Sequence, residues 1–378
     1  MTSETTPDAQ SDFELFLVAP PGLEGVLCAE AREHGFRKAK PVPGGVTCSG
    51  DWAEAWRANL MLRGASRVLV RIAAFKVQHL AQLQKKAQAL PWTDFLQPGV
   101  PIRVDASCRK SKLYHSGAVA ERIGKAAAEV ASTELSGDAP IRILARLDND
   151  ICTISLDTSG EPLHKRGHKP RVNKAPMRET LAALFLRQCG YKGQEPVIDP
   201  MCGSGTFVIE AAEQAAGLAP GRSRDFAFQQ MTGFDPDAWT AMRNAVTPKT
   251  PTARFYGYDR DAGAVEMSRA NADSAGVTAW TDFAQQPISD LTPPEDSPPG
   301  LVIVNPPYGT RIGEAKKLHP LYHTLGKVLM EHFSGWRVGL ITTQPSLAKA
   351  TALPFTRDGG PIDHGGLKVT LSVTSALP

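Results

Sequence analysis

Two short strings in the second half of the chain hold residue types that can do chemistry together. Leu301-Val-Ile-Val-Asn-Pro-Pro-Tyr308 is an unbroken apolar run that ends in an amide, two prolines and an aromatic ring. Such a run reads as a strand buried on both faces, and ligands of open α/β folds bind at the carboxyl ends of strands. The prolines fix the turn and bring no backbone N–H to compete for the carbonyls. Asn305 Oδ1 and the Pro306 carbonyl can then accept both protons of a single NH₂ group, while Tyr308 offers a flat face for a base flipped out of its stack. An exocyclic base nitrogen has its lone pair delocalised into the ring. Two acceptors on its protons make it more tetrahedral and more nucleophilic, ready for in-line attack, and positioning supplies much of the rate. No strong base is needed, because the alkylated amine loses its proton readily.

The second string, Val197-Ile-Asp-Pro-Met-Cys-Gly-Ser-Gly-Thr206, reads as strand, glycine turn and helix start. Gly203 and Gly205 let the backbone come close to a ligand, and the helix start offers free N–H groups. Val208 occupies the third position of a dinucleotide fingerprint, and no Lys follows as a phosphate loop requires, so both of those readings fail. What remains is an acid, Asp199, followed by Pro200, Cys202, Gly203, Ser204, Gly205 and Thr206. A carboxylate there suits a cationic ligand, and S-adenosylmethionine carries an ammonium and a sulfonium. Asp259 closes the next strand, where an acid accepts ribose hydroxyls. It lies 54 positions beyond Gly205, a spacing that the irregular stretch 217–253 accounts for. Asp282 is expected after the third strand as an acceptor for the adenine amino group, with Phe283 on the ring.

The elements that must position these residues alternate from 179 onward: helix 179–188, strand 196–199, helix 206–216, strand 254–259, helix 261–274, strand 301–305, helix 318–333 and strand 338–342. That order predicts a parallel sheet covered on both faces. The front half mixes strands (13–19, 66–77, 102–106, 141–147, 151–157) with helices (22–34, 117–130), and Asp148-Asn149-Asp150 marks a hairpin. Six widely spaced cysteines without a CxxC pair exclude a disulfide scaffold and suit a reducing cytosol. The polar, acidic first ten residues are not a secretory signal, and no apolar run approaches a membrane span. His319 and His323 lack further ligands at metal spacing, so no metal is expected.

Charge is unevenly spread. Residues 1–178 hold 25 Lys/Arg against 19 Asp/Glu, whereas 179–378 hold 17 against 20. A basic front half suits a polyanion. Residues 161–178 crowd six Lys/Arg and two His, either as a solvated linker or as a grip on phosphates. Lys165, Arg166, Lys169 and Arg171 are the candidates there, and Arg109, Lys110, Lys112 and His115 are candidates further forward.

DPMCGSGT, GYDRD and NPPYG in this order resemble the class I, Rossmann-like S-adenosylmethionine methyltransferases that act on exocyclic amines. With Ala175-Pro-Met-Arg-Glu-Thr-Leu-Ala-Ala183, Asn305-Pro-Pro-Tyr-Gly-Thr-Arg-Ile-Gly-Glu314 and Leu17-Val-Ala-Pro-Pro-Gly-Leu-Glu24, the chain is similar to the bacterial 23S ribosomal RNA guanine-N2-methyltransferases that carry a THUMP domain. The likeness runs over about 11–375 and is sharpest to the amino-terminal half of the bifunctional member. It implies an α/β fold: a mostly parallel, doubly wound, seven-stranded sheet behind an α+β ferredoxin-like and THUMP region. The implied segments are a tail at 1–10, a ferredoxin-like element at 11–64, THUMP at 65–160, a basic linker at 161–178 and the methyltransferase domain at 179–378. It also implies Glu179 and Thr180 near the cofactor's methionine part, 23S rRNA or an assembly precursor as partner, and a cytoplasmic setting. The residues alone leave adenine-N6 transfer on DNA or RNA, glutamine-N5 transfer on protein, and a non-catalytic RNA-binding module open. Oligomeric state is not written in the sequence.

Overall fold

A computed structural model describes residues 12–168, 177–307 and 314–378. They group into two compact units. One comprises the described residues up to Ala19, Cys28–Leu163 and Asp225–Arg243; the other comprises Pro20–Leu27, His164–Arg224 and Asn244–Pro378.

The first unit is built on β1 (Phe13–Val18), α1 (Glu24–Glu33), β2 (Arg37–Val42), β3 (Gly45–Gly50), α2 (Trp52–Met61), β4 (Arg67–Lys76), α3 (Leu80–Gln88), β5 (Ile102–Arg109), α4 (Ser116–Ala131), β6 (Ile141–Asp148) and β7 (Ile151–Asp157). The strands form a seven-stranded sheet in the order β2-β3-β1-β4-β7-β6-β5. Its first four strands follow a βαββαβ path and pair antiparallel throughout, the ferredoxin-like arrangement. Strand β4 joins the two ends of the sheet. Its first half pairs with β1, its second half runs along β7, and a bulge between Arg71 and Ala73 re-aims it. The stretches that the sequence divides at 64/65 therefore share one sheet. In β6, Ile141, Ile143, Ala145 and Leu147 are buried while their neighbours are not, the period-two pattern of a strand with one face on a core. The β6–β7 turn takes Asn149 and Asp150 to φ of 52° and 63°, as its residue types predict.

The second unit holds α5 (Glu179–Gln188), β8 (Val197–Asp199), α6 (Thr206–Ala215), then, beyond α7 (Pro236–Asn244), β9 (Phe255–Asp259), α8 (Ala262–Ala275), β10 (Thr281–Gln285), β11 (Leu301–Val304), α9 (Glu314–His332), β12 (Arg337–Thr342), α10 (Pro345–Ala350), β13 (Phe355–Asp358), β14 (Ile362–His364) and β15 (Leu367–Thr374). Its sheet order is β10-β9-β8-β11-β12-β15-β13, with β14 on β15. The first five strands are parallel and the β13–β15 end is antiparallel. From β8 the chain builds outward through β9 to β10, then returns to β11 on the other side. The switch between β8 and β11 opens a crevice at their carboxyl ends, which is where such folds bind ligands. All four residues of β11 are buried, as its unbroken apolar run predicts. One face carries Val302 and Val304 into a core with Tyr322, Leu325 and Leu329 of α9, and each such buried aliphatic is worth about 1.5–3 kcal/mol.

The stretch at 217–253, expected as an irregular interruption of the second half, contributes Asp225–Arg243 to the first unit instead. Phe226, Phe228, Met231 and Trp239 are buried there, and Phe228 stacks on Trp56 with ring centroids 5.8 Å apart. Gln97 Nε2 donates to the Met231 carbonyl at 3.0 Å.

Candidate active site

Asp199 ends β8 with its side chain buried, 2 % exposed. Its Oδ1 accepts from the Met201 N–H at 3.0 Å. Burial pushes its carboxyl up to about 8, the nearby Asp259 adds to the rise, and among the described residues no cation stands against it. The loop that follows is tied to β9 rather than hanging free. The Cys202 N–H donates to the Tyr258 carbonyl at 2.8 Å, and the Gly203 N–H donates to Asp259 Oδ2 at 3.0 Å. Asp259 Oδ1 accepts from the Asp261 N–H, so each carboxylate oxygen has one donor and keeps acceptor capacity. Gly205 caps α6 at φ +79°, and a Cβ there would sit 3.1 Å from Ser268. Glycine is needed at that position both for the left-handed turn and for the close approach of α8.

Helix α8 braces the loop from behind. Ser268 Oγ donates to the Gly203 carbonyl at 3.0 Å, and Asn271 Nδ2 donates to the Ser204 carbonyl at 3.0 Å. Neither residue was singled out from the sequence. The signal was present: Ser268 and Asn271 interrupt the apolar stripe Ala264, Val265, Ala272, Ala275, and a polar residue on a buried helix face must find a partner. Glu179 lines a small cavity with Thr206 and Asn271 beside the start of α6, while Thr180 is buried in α5.

Asn305 lies two residues past the point where β11 runs beside Asp199. Leu301 and Val302 pair with Val197 and Ile198, so both side chains emerge at the same carboxyl edge. Asn305 Oδ1 is buried and, among the described residues, meets no donor. A buried acceptor without a partner costs about 1–3 kcal/mol, a cost that a bound NH₂ group would relieve. Pro306 is buried next to it, and Tyr322 Oη donates to the Pro307 carbonyl at 3.3 Å, fastening the turn to α9. Tyr308 lies outside the described residues, as do Lys169 and Arg171.

Two expectations need correction. Asp282 does not reach the site. Strand β10 begins at Thr281 instead of ending before it, so Asp282 lies opposite Tyr256 near the amino end, with Gln285 opposite Asp259 at the carboxyl end. Its carboxylate is bound to Arg254 at 2.8 Å on the surface. Phe283 is buried against Gly257, where a Cβ would strike its ring at 2.4 Å. Arg166 is not a phosphate contact: it is 2 % exposed and pairs with the buried Glu210 of α6 at 3.5 Å. His168, also buried, lies 2.9 Å from Glu213, which Arg222 holds at 2.5 Å. A solvated linker does not describe residues 164–168. Lys165 is exposed, as are Arg109, Lys110, Lys112 and His115 at the end of β5.

A doubly wound sheet, an acid at the end of its first strand, a glycine turn, an acid at the end of its second and an Asn-Pro-Pro turn at the switch point define a class I methyltransferase. S-adenosylmethionine fits the residues present, because the buried Asp199, against which no described cation stands, matches its cationic end and Asp259 has lone pairs left for ribose hydroxyls. Residues 166–358 match the RMKL-like methyltransferase domain, residues 14–69 the RlmL ferredoxin-like domain, and residues 77–157 the THUMP domain. The chain belongs to the RMKL-like methyltransferases, enzymes that use S-adenosylmethionine. It is 36% identical over 359 residues to ribosomal RNA large subunit methyltransferase K/L of Syntrophotalea carbinolica, covering 89% of this chain but 50% of that protein. The chain thus spans about half the length of that relative. A Synechocystis sp. protein named as an RNA methyltransferase is 32% identical, covering 94% of this chain and 95% of its own. Among solved structures, the methyltransferase SMU.472 complexed with SAH superposes with a TM-score of 0.88 at 28% identity, covering 98% of this chain and 99% of that one. Among the described residues, no helix is long and apolar enough to cross a membrane, and no group of three or more metal-ligating side chains gathers.

Proposed function

We propose that the chain methylates the exocyclic N2 amine of a guanine in large-subunit ribosomal RNA. The observation that carries the reading is the buried Oδ1 of Asn305, which no donor among the described residues meets, at the edge of the sheet that holds Asp199. An acceptor kept empty at that place suits an NH₂ donor. The RNA part of the reading draws support from the THUMP match and from the K/L relatives' name. Such a substrate carries with it a cytoplasmic setting.

In this reading Asn305 Oδ1 and the Pro306 carbonyl accept the two amine protons and turn the nitrogen lone pair toward the cofactor, with Tyr308 stacked on the base. When bound, S-adenosylmethionine supplies the electrophilic methyl group. Asp199 holds the cofactor's cationic end, Asp259 takes the ribose hydroxyls, and the 202–206 turn fixes the reach between them. Cys202 is no nucleophile, since burial pushes its thiol up and keeps it protonated. Among the described residues no base stands at the Asn305 turn, and none is required once the methylated nitrogen has become acidic.

Transfer of labelled methyl to undermethylated ribosomal RNA, total tRNA, DNA and protein, followed by nucleoside analysis, tests carrier and atom together. N2-methylguanosine in the large ribosomal RNA is the expected product. N6-methyladenine or methylated protein would replace this reading. Asn305→Ala should lower turnover at least about 100-fold while cofactor affinity stays within about twofold, because an acceptor made useful only in the reacting complex acts on turnover alone.

A further inference from the structure

The far end of the first unit's sheet carries a surface that the reaction leaves unused. Strand pairing sets Lys76, Ile151, Asp148 and Arg109 side by side across β4, β7, β6 and β5. Beyond Arg109 the chain makes a loop, 110–115, with Lys110, Lys112 and His115 exposed and Tyr114 75 % exposed at its tip. Ile151, 48 % exposed, gives the same edge a second apolar side chain. The Tyr114 ring lies against its neighbour His115, with centroids 4.8 Å apart, and takes no part in the core.

The loop is not slack. Asp150 accepts from the Lys112 N–H at 2.7 Å and from Gln78 Nε2 at 2.8 Å. Ser111 Oγ donates to the Arg109 carbonyl at 2.8 Å and accepts from the Asp150 N–H at 3.0 Å. These bonds hold Asp150's carboxyl below its usual range, so the brace stays ionised at neutral pH. The neighbouring Asp148 is occupied by Arg146 and Asn149. Lys112 Nζ donates to Gln78 Oε1 at 3.2 Å, which leaves Arg109 and Lys110 exposed to face a ligand, and the loop that carries the ring is braced before any ligand arrives.

We propose that Tyr114, framed by Arg109, Lys110 and Lys112, is a stacking platform for an unpaired RNA base, separate from the methylated nucleotide. A rigid aromatic among cations fits a single strand: every base has a π-face to stack, and the cations follow the phosphates. A duplex buries its base faces and could use only the cations. The proposal rests on the RNA reading above and narrows it to single-stranded or loop nucleotides at this edge.

The test titrates the whole chain against a single-stranded RNA of about 12 nucleotides carrying one 2-aminopurine, and against a blunt duplex of the same length. Tyr114→Ala should weaken single-strand binding about 5- to 100-fold and abolish the quenching of 2-aminopurine, with duplex binding unchanged. Tyr114→Trp should keep both the affinity and the quenching, which shows that the ring and not the fold was lost. Single-strand binding by Tyr114→Ala equal to the parent's would overturn the platform. If Lys110→Glu with Lys112→Glu still weakened binding in that case, the RNA reading would stand without it. A parent chain that binds neither RNA would overturn the RNA reading and the platform together.

Discussion

At the scale of single residues, Asp199 is the sharpest probe of the cofactor site, because its environment fixes the sign of a pH effect. Its carboxyl, raised to about 8, holds a proton at neutral pH that the unfolded chain would release near 4. The folded, cofactor-free chain therefore binds the extra proton between those values. This contribution to stability is complete below about 4 and is lost as pH rises through 8. A bound cation reverses the preference, since it favours the carboxylate. S-adenosylmethionine binding should then release a proton at pH 7 and tighten as pH climbs toward 8. Calorimetry in two buffers of different ionisation enthalpy measures that release, and Asp199→Asn should abolish it while weakening the cofactor at least about tenfold. Release by the variant equal to the parent's would move the linkage to another group. Residue types at this site were legible, because a glycine turn behind an acid and an amide before two prolines each do one job. Arg166 was not legible. A basic residue in a basic run looks solvated until the acids of another helix, Glu210 and Glu213, are seen beneath it.

Elements decide how accurately those residues are aimed. The Asn-Pro-Pro turn leans on α9 through the Tyr322 hydroxyl, and the glycine turn leans on α8 through Ser268 and Asn271. Tyr322 is fully buried among Val302, Val304 and Leu325, so its ring is core and only its hydroxyl reaches the turn. Tyr322→Phe separates the two roles. The variant should lose about 0.5–1.5 kcal/mol of stability, the net worth of one hydrogen bond. Its turnover should fall about tenfold with unchanged cofactor affinity, because an unfastened turn misplaces the acceptors without touching the glycine loop. Thermal melts, cofactor titration and steady-state kinetics check the three parts, and unchanged turnover would confine Tyr322 to packing. The parallel strands were legible because they are short apolar runs, Val197-Ile198 before Asp199 and the unbroken Leu301–Val304. The third strand was not. Thr281-Asp282-Phe283-Ala-Gln285 buries only Thr281 and Phe283, a weak alternation, and a misjudged start moved Asp282 from the amino end to the carboxyl end.

At the scale of the molecule, sequence order and spatial grouping part company, and the consequence can be tested. The chain passes between its units at 19/20, 27/28, 163/164, 224/225 and 243/244. Composition places the cut at 178/179 instead, where the basic front half ends. Asp225–Arg243 escapes that reading: its buried aromatics Phe226, Phe228 and Trp239 are spaced too irregularly to announce an element, and their partners lie far back in sequence. In the first unit Phe228 meets Trp56, and Trp239 meets Phe226 and Phe228 edge-on at 5.8 and 5.1 Å. A chain truncated to residues 164–378 keeps these rings and loses Trp56. It should expose a contiguous apolar patch, bind a hydrophobic dye, and aggregate at concentrations where the whole chain stays dispersed. Replacing 225–243 in that truncated chain by a short Gly/Ser segment should restore solubility, because the patch leaves with the segment while the sheet from β8 to β15 is intact. Truncation alone giving a soluble, dye-silent protein would show that the segment finds another place to bury its rings. Within the whole chain, Trp56→Ala removes the stacking partner of Phe228. It should cost about 3–5 kcal/mol, as large-to-small changes in a well-packed core do. That loss should appear in the melting of the first unit, with cofactor affinity in the second unaltered.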